Sequence, residues 1–314
     1  MPYAIVDGRT GKAVPEAAFW QQLSQNRLVC IGESHTNPHH HWVQLTVLQR
    51  LLQDPQWKQG SAVGLEMVQT PFQAVLDDYA QGKIDEAAML SRTGWNERWA
   101  YDFALYRAQL EAVRRANGTL LALNAPKELT KKVVRQGLEA LTVEERAQLP
   151  SIDLENTAHK RWFLALMGEL GDAHPPTGPS KAAPSGQPQA APASPEAGGG
   201  TPAPSAKMPS MDRIYTVQVI WDETMAYVAE RWLAAEAGRH VAILAGSGHC
   251  HDLAIVGRAK ARADLSAVSI LPIVDKGEGE VASAVAAPLH DYLFVLQPPA
   301  ARLPPHANRD QVGK

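Results

Sequence analysis

Three short apolar segments of the chain end in acidic or histidine side chains, and this repeated pattern constrains the fold more than any other feature of the sequence. The segments are Leu28–Ile31, followed by Glu33 and His35; Ala62–Met67, which contains Glu66; and His240–His251, which contains His249. Nearly continuous apolar runs of this length are typical of buried parallel strands. Parallel strands bring their carboxyl ends to one edge of the sheet, where ligands bind in open α/β folds. We therefore expect Glu33, His35, Glu66 and His249 to lie close together at that edge.

The segments between these strands have the spacing of helices, which predicts the fold class. Val43, Val47, Leu48 and Leu51 recur at helical intervals after the first strand. Strands that alternate with helices indicate an α/β fold, with a mostly parallel sheet flanked by helices. Residues 126–170 have a helical pattern throughout and predict an additional helical lobe. We predict an N-terminal strand and helix segment over residues 1–26, a main domain over 27–274, and an edge strand with a loose tail over 275–314.

The main domain is interrupted by a segment of biased composition at residues 171–210. Thirty of its forty residues are Pro, Ala, Gly or Ser, and none is aromatic. Such a segment buries too little apolar surface to offset the entropy that is lost when it is ordered. We therefore predict a disordered insertion inside the domain, because the motifs on its two sides complete one another.

The overall composition argues against several classes of protein. A net charge of −3 gives no basic surface for nucleic acid, and no apolar stretch is long enough to span a membrane. The first residues have neither the basic nor the apolar region of a signal peptide, so we expect either a cytoplasmic protein or one whose export signal has been removed. The two cysteines, Cys30 and Cys250, exclude a multi-disulfide framework and a four-cysteine metal site. Both lie beside the proposed site and could be near each other, but we expect buried free thiols.

Six motifs, in order along the chain, resemble those of a known family. They are G-E-S-H-T-N-P-H-H-H, G-L-E-M, W-A-Y-D-F-A-L-Y, A-L-N-A-P, W-D-E-T-M-A and A-G-S-G-H. From about Tyr3 to Val274, apart from the insertion, the chain resembles the ChaN family of bacterial haem-binding, iron-regulated proteins, which are often lipoproteins. That family belongs to one superfamily with the Tiki proteases and the erythromycin esterases.

The resemblance implies a fold, a cofactor and a place of action. It implies an α/β sheet domain with a helical lobe that binds haem, a homodimer, and a role in haem or iron uptake at the cell envelope. Since family members commonly carry an export or lipoprotein signal, we expect membrane association only through a lipid anchor that is absent from this sequence.

The strand-end residues allow three interpretations. Glu33, His35, Glu66 and His249 suit the acids and bases of a hydrolase, and the related hydrolases of the superfamily use a similar G-E-x-H motif and a late histidine. His35, Glu66 and His249 also suit an open site for a divalent metal such as zinc, manganese or iron. The third interpretation is a structural network in which the carboxylates accept hydrogen bonds from histidine and backbone groups.

Neighbouring residues, among them Asn124 at the end of the apolar segment T-L-L-A-L-N, are candidates for supporting roles. Of the histidines at positions 39 to 41, we expect His39 to be the closest to the site, since it lies about one turn after His35, and the other two to be solvated or packed on Trp42. Asp222 or Glu223 in W-D-E-T-M-A is a candidate partner for a site histidine. A solvated helix face is the simpler interpretation for Glu223.

The predicted lobe carries an apolar stripe that is relevant to haem. The stripe occupies one helix face and consists of His159, Trp162, Phe163, Leu166, Met167 and Leu170. No tyrosine occurs between positions 126 and 170, so haem bound in this lobe would take His159 or, as second choice, Met167 as its axial ligand, with Trp162 beside it. The stripe is also typical of a helix face packed into a core. Alternative haem ligands elsewhere are Tyr79, Tyr101, Tyr106, Tyr215 and Tyr227.

Overall fold

An eight-stranded sheet lies at the centre of the protein in this computed structural model, which describes residues 1–58, 60–172, 209–263 and 265–297. The strands are β1 (Tyr3–Asp7), β2 (Ala13–Val14), β3 (Leu28–Glu33), β4 (Ser61–Gln69), β5 (Thr119–Asn124), β6 (His240–Gly246), β7 (Ala267–Val274) and β8 (Tyr292–Leu296). Their order in the sheet is β2-β1-β8-β7-β3-β6-β4-β5. Every neighbouring pair is parallel except the two that β1 makes with β2 and β8. The predicted α/β class with a mostly parallel sheet is confirmed.

Helices connect the strands and cover both faces of the sheet. They are α1 (Glu16–Ser24), α2 (Pro38–Gln53), α3 (Gln73–Ala80), α4 (Glu86–Thr93), α5 (Trp95–Arg98), α6 (Arg107–Arg115), α7 (Lys127–Gln136), α8 (Val143–Arg146), α9 (Thr157–Asp172), α10 (Met211–Ala234), α11 (Ile255–Ala263) and α12 (Glu280–Ala286). Val29 and Ile31 of β3 pack in one cluster with residues of α2, whereas Leu28 and Cys30 pack in another with residues of α10 and α11. Burial on both faces explains why the central strands are continuous apolar runs.

The helical segment predicted over residues 126–170 contains α7, α8 and α9, together with a short 3-10 turn at Leu138–Ala140. Most of the predicted disordered insertion, residues 173–208, lies outside the described residues, and Gly171 and Asp172 belong to α9. No helix in the described part of the chain is both long enough and apolar enough to cross a membrane.

The prediction that the last strand lies at the edge of the sheet is wrong. β8 lies between β7 and β1, and its residues Leu293, Phe294 and Leu296 are completely buried. The N-terminal strand β1 pairs antiparallel with β8 along its full length, so β2 takes the edge position. The predicted tail, residues 298–314, lies outside the described residues.

The expectation of free thiols is also wrong, because Cys30 and Cys250 form a disulfide. Their Cα atoms are 5.3 Å apart, and both residues are buried. Cys30 lies in β3 shortly before Glu33, and Cys250 directly follows His249. The bond therefore ties together two segments that carry strand-end residues and that lie 220 positions apart in the sequence.

Candidate functional site

The carboxyl ends of β3, β4 and β6 bring three of the predicted site residues to one cavity. Because β3 and β6 are in parallel register, Glu33 lies opposite Gly246. The backbone N–H of Ser247 donates to the Glu33 carbonyl oxygen at 2.8 Å, which holds the turn after β6 over the end of β3. As a result His35, Glu66 and His249 line a cavity of about 230 Å³.

Glu33 forms the first pair of a buried carboxylate with an imidazole. Its Oε1 lies 2.7 Å from His35 Nδ1, and the Tyr106 hydroxyl donates to the same oxygen at 2.9 Å. Burial raises the pKa of Glu33, but the hydrogen bond and charge of His35, together with His41 and Tyr106, outweigh burial, so the pKa is lowered overall. Burial lowers the pKa of His35, and the hydrogen bond and charge of Glu33 and the charge of Glu66 reverse this, so its pKa is raised.

The neighbouring histidines differ from the prediction, since His41 and not His39 is closest to the pair. His41 is buried, with Nδ1 3.2 Å from Glu33 Oε2 and 3.1 Å from Gln44 Oε1, and Nε2 3.0 Å from the His35 carbonyl oxygen. His40 Nδ1 accepts from the backbone N–H of Ser34 at 2.9 Å, and burial lowers its pKa to about 4. The reason is the helix start: α2 begins at Pro38, so the chain turns before His39 and directs the following two rings inward.

Asp222 forms the second carboxylate–imidazole pair from α10. Its Oδ1 lies 2.6 Å from His249 Nδ1, and its Oδ2 lies 3.3 Å from His159 Nε2. Burial lowers the pKa of His249, but the charges of Glu66 and Asp222 and the bond to Asp222 raise it to about 8. Burial raises the pKa of Asp222, but the charge of His249 and the bonds to His159 and His249 lower it overall. This confirms the expectation that Asp222 supports a site histidine.

Glu66 lies between the two pairs. Its Oε2 accepts the backbone N–H of Gly246 at 2.6 Å, and its Oε1 lies 3.6 Å from His249 Nε2. A side chain at position 246 would crowd the site, because a Cβ there would lie 3.1 Å from His35 Cε1 and the His35 ring would have to move by a few tenths of an ångström. Glycine at this position therefore lets the His35 ring and the Glu66 carboxylate approach the same point of β6.

The predicted metal set is not supported. In the part of the chain that the structure describes, no group of three or more His, Cys, Asp or Glu side chains has a spacing that could hold a metal ion. His35, Glu66 and His249 share a cavity, and a carboxylate binds the Nδ1 atom of each histidine. This orients both rings, and the arrangement suits proton transfer.

Further side chains line the rest of this cavity. They are Gln69, Arg98, Trp99, Ala100, Tyr101, Asn124, Ala125, Lys127, Thr130 and Trp221. The rings of Trp99 and Tyr101 each lie 4.8 Å from the His35 ring, centroid to centroid. The Trp-rich segment of the sequence therefore forms an aromatic wall beside His35. Tyr101 and Asn124 were noted in the sequence, whereas Arg98 and Lys127 carry no pattern that distinguishes them from surface cations.

Comparison with models of known protein families assigns the chain to a family. A family model described as haem-binding uptake, Tiki superfamily, ChaN matches residues 19–258. The chain belongs to the ChaN family. None of the curated proteins matches it.

Solved structures agree with the fold of the family. The structure of ChaN of Campylobacter jejuni with cofacially bound haem has 16% sequence identity and a TM-score of 0.64, covering 94% of this chain and 97% of that chain. The type III effector HopBA1 gives 12% identity, a TM-score of 0.41 and coverage of 88% and 91%. A mutant of erythromycin esterase EreC in its open conformation has 12% sequence identity and a TM-score of 0.44, covering 94% of this chain and 83% of that chain. Only the likeness to ChaN is close enough to support the fold.

The three residues predicted to bind haem in this ChaN family member differ in how far they are buried. His159 is completely buried, and its Nδ1 lies 3.4 Å from the Tyr215 hydroxyl and 3.5 Å from Arg258 Nη2. Trp162 is partly buried and stacks on His159 with 5.5 Å between ring centroids, and Met167 is also partly buried. His159 therefore belongs to the Asp222 network, while Trp162 and Met167 have accessible surface.

The interpretation of Glu223 as a solvated residue is wrong. Glu223 is almost completely buried, and its Oε1 lies 3.1 Å from Arg258 Nε, while its Oε2 binds Arg262. Both arginines come from α11. Glu223 thus fastens α11 to α10, and Asp222, one position earlier, faces the site.

Proposed function

We propose that the protein binds haem and acts in bacterial haem or iron handling, as a homodimer. The observation that supports this proposal is the match of the haem-binding ChaN family model over residues 19–258. The strand-end cavity does not fit the whole cofactor, because about 230 Å³ is below the roughly 300–1,000 Å³ typical of pockets for drug-sized ligands. We therefore place haem at the accessible face of α9.

The candidate axial ligands can be ranked by how accessible their side chains are. His159 has no open side, since Asp222, Tyr215 and Arg258 surround its ring nitrogens. Met167 is partly exposed, and it is our first candidate, with Trp162 as a packing residue. Among the tyrosine alternatives, Tyr79, Tyr106 and Tyr215 are buried, which leaves Tyr101 and Tyr227.

Haemin titration followed by visible absorption tests this proposal. We expect a shifted Soret band that saturates at a defined ratio of haem to protein, and an altered Soret maximum in Met167→Leu. His159→Ala should lower stability without moving the maximum, because His159 supports Asp222. A Soret change in Tyr101→Phe or Tyr227→Phe, with Met167→Leu unchanged, would transfer the ligand to that tyrosine.

We also propose that the protein works at the cell envelope. The disulfide between Cys30 and Cys250 supports this, because disulfides persist in oxidising compartments and are rare in the cytosol. Fractionation of cells that produce the natural full-length protein tests the location. Recovery of the protein in the cytosol with both thiols reduced would contradict it.

A second candidate function is hydrolysis, and the observation that favours it is the pairing of two imidazoles with buried carboxylates around one cavity. His35 and His249 each bind a carboxylate through Nδ1. This fixes the orientation of both rings and leaves their Nε2 atoms on the side of Gly246 and Glu66.

In the proposed hydrolysis, Glu66 acts as the general base and His249 as the general acid. Glu66 accepts a proton from water, whose oxygen forms a new bond to the substrate carbonyl carbon. His249, protonated near neutral pH because its pKa is about 8, gives a proton to the leaving oxygen or nitrogen as its bond to that carbon breaks. Asp222 holds the His249 ring in position, and Glu33 does the same for His35.

A screen of small esters and peptides, comparing wild type with Glu66→Gln, tests this second function. We expect ester or peptide cleavage that Glu66→Gln reduces by at least about 100-fold, the lower range for loss of general acid–base catalysis. Glu97→Gln is the matched control, since Glu97 is exposed close to the same cavity. Equal rates in wild type and Glu66→Gln would exclude the function.

A further inference from the structure

Lys127 lies in the wall of the strand-end cavity without a carboxylate partner. Its Nζ donates to the backbone carbonyl oxygens of Glu97 at 2.7 Å and Arg98 at 3.2 Å, and it forms no ion pair among the described residues. Burial, together with the charges of Lys131 and Arg98, lowers its pKa. The charges of Glu128 and Glu97 oppose this lowering of the pKa, but neither carboxylate lies within ion-pair distance of Nζ. The ammonium therefore has no direct ion-pair partner among the described residues, and one of its three N–H groups has no partner there.

The other cation of the cavity wall is already neutralised. Arg98 Nη2 lies 2.8 Å from Glu128 Oε1, and Nη1 donates to Gln69 Oε1 at 2.6 Å. Its planar fork is therefore occupied by protein groups. Of the lysine and arginine side chains that line the cavity, Lys127 alone forms no ion pair among the described residues.

The same cavity is also lined by two imidazole nitrogens that have no hydrogen-bond partner among the described residues. The side chains of His35 and His249 are only 10% and 3% exposed, and neither Nε2 forms a hydrogen bond within the described residues. His249 Nε2 lies 3.6 Å from Glu66 Oε1, which is longer than a hydrogen bond. Both Nε2 atoms are therefore open to a hydrogen bond with a polar group of a ligand in the cavity.

We propose that this cavity binds a small ester that also carries a carboxylate, such as the monoester of a short dicarboxylic acid. The carboxylate binds Lys127, and the ester carbonyl lies between Glu66, His35 and His249. Trp99, Tyr101 and Trp221 cover the short carbon chain between the two groups. The inference rests on the second proposed function, hydrolysis, and adds the class of its substrate.

Charge and size select this class. A single unpaired ammonium matches the single charge of a carboxylate, whereas a phosphate dianion is better matched by an open guanidinium fork, and that of Arg98 is occupied. The volume of about 230 Å³ limits the ligand to a small molecule.

The reaction on such a substrate is a balanced hydrolysis. A water oxygen bonds to the ester carbonyl carbon while Glu66 takes the water proton. The bond from that carbon to the alkoxy oxygen then breaks, and His249 protonates the leaving alcohol. The products are a dicarboxylate and an alcohol, and proton exchange with water restores both residues.

The experiment compares two esters that differ in one carboxylate. Methanol release from monomethyl succinate and from methyl butanoate is measured on wild type, Lys127→Met and the control Lys131→Met, whose lysine is exposed on the same helix. We expect wild type to prefer monomethyl succinate at least tenfold in kcat/KM. Lys127→Met should lower this ratio at least tenfold, mainly through KM, and Lys131→Met should leave the ratio unchanged.

A binding measurement separates this inference from the hydrolase proposal. The compound 4-oxopentanoate replaces the ester of monomethyl succinate by a ketone that cannot be hydrolysed, and calorimetry gives its affinity. Binding to wild type at least tenfold tighter than to Lys127→Met supports the carboxylate site even if neither ester is cleaved, in which case only the hydrolase fails. If both esters are cleaved with equal kcat/KM and 4-oxopentanoate does not bind, the carboxylate site is overturned while the hydrolase proposal stands. Tighter binding of inorganic phosphate, or displacement of 4-oxopentanoate by equimolar haemin, also overturns it.

Discussion

Asp222 is a completely buried carboxylate that holds two imidazoles at once. Its two oxygens lie 2.6 Å from His249 Nδ1 and 3.3 Å from His159 Nε2. A buried charge is tolerated only while it is paired, because the protein interior solvates it poorly. This one side chain therefore joins the turn after β6 to the first turns of α9.

We predict that Asp222→Ala lowers the free energy of unfolding by about 3–5 kcal/mol, the loss typical of breaking a buried pair. Asp212→Ala is the matched control on the same helix, because the pair of Asp212 with Lys160 is largely exposed; we expect that substitution to cost less than about 1 kcal/mol. Urea unfolding followed by circular dichroism measures both. Equal losses in the two variants would show that Asp222 does not have this role.

Three histidines with shifted pKa values contribute to the pH dependence of stability: His249 and His40 near the site, and His290, which is buried just before β8. The pKa of His249 is raised to about 8, so the folded protein binds this proton more tightly than the unfolded chain. Its contribution is complete below the unfolded pKa of about 6.5 and is lost as the pH rises through 8. Burial lowers the pKa of His40 and His290 to about 4. Their contribution to stability is therefore complete above the unfolded pKa of about 6.5 and is lost as the pH falls towards 4.

We predict that the melting temperature is highest near about pH 6.5 and falls on both sides. His249→Asn should flatten the alkaline side, since it removes the proton that is lost there while keeping a donor for Asp222. His39→Asn, a partly exposed histidine of α2, should keep the wild-type slope. Thermal melts in a series of buffers measure this, and an unchanged alkaline slope in His249→Asn would contradict the account.

Some site residues could be predicted from the sequence, and others could not. Glu33, Glu66 and His249 were identifiable because each follows an apolar run, and parallel strands end at one edge of a sheet. Asp222 appeared only as one of two alternatives, because sequence does not say which face of a long helix meets the sheet. Lys127 was missed, since its partial burial and its lack of an ion pair among the described residues depend on a cavity that the fold creates.

At the scale of elements, the disulfide fastens β3 to the turn after β6. Cys30 and Cys250 lie 220 positions apart, and each is adjacent to a strand-end segment of the site. Closing so long a loop removes many conformations of the unfolded chain. The disulfide could not be predicted from the sequence, because two cysteines alone do not show whether they bond in the folded protein. The position of β8 inside the sheet could not be predicted either, because its partner β1 lies at the other end of the chain.

We predict that the double substitution Cys30→Ala with Cys250→Ala lowers the free energy of unfolding by about 2–4 kcal/mol. A reducing agent should lower the melting temperature of wild type towards that of the variant, and it should leave the variant unaffected. Scanning calorimetry with and without dithiothreitol measures the effect. A wild-type melting temperature that is independent of reductant would contradict a structural disulfide.

At the scale of the whole molecule, the fold separates two candidate sites. The edge formed by β3, β4 and β6 holds a small polar cavity, and the lobe carries Trp162 and Met167 on α9, outside that cavity. The overall class could be predicted from sequence because alternating apolar strands and helices permit few arrangements. The position of a haem site could not be predicted in this way and stays a proposal, because an apolar helix stripe has the same pattern whether it covers a core or a cofactor.

Native mass spectrometry of the protein after incubation with haemin tests the central claim, that this member of the ChaN family binds haem, most directly. We predict a species whose mass corresponds to a dimer of the chain with haem bound, and which survives exchange into haem-free buffer. Detection of the haem-free chain alone, at haemin concentrations that load a known haem protein, would contradict the claim.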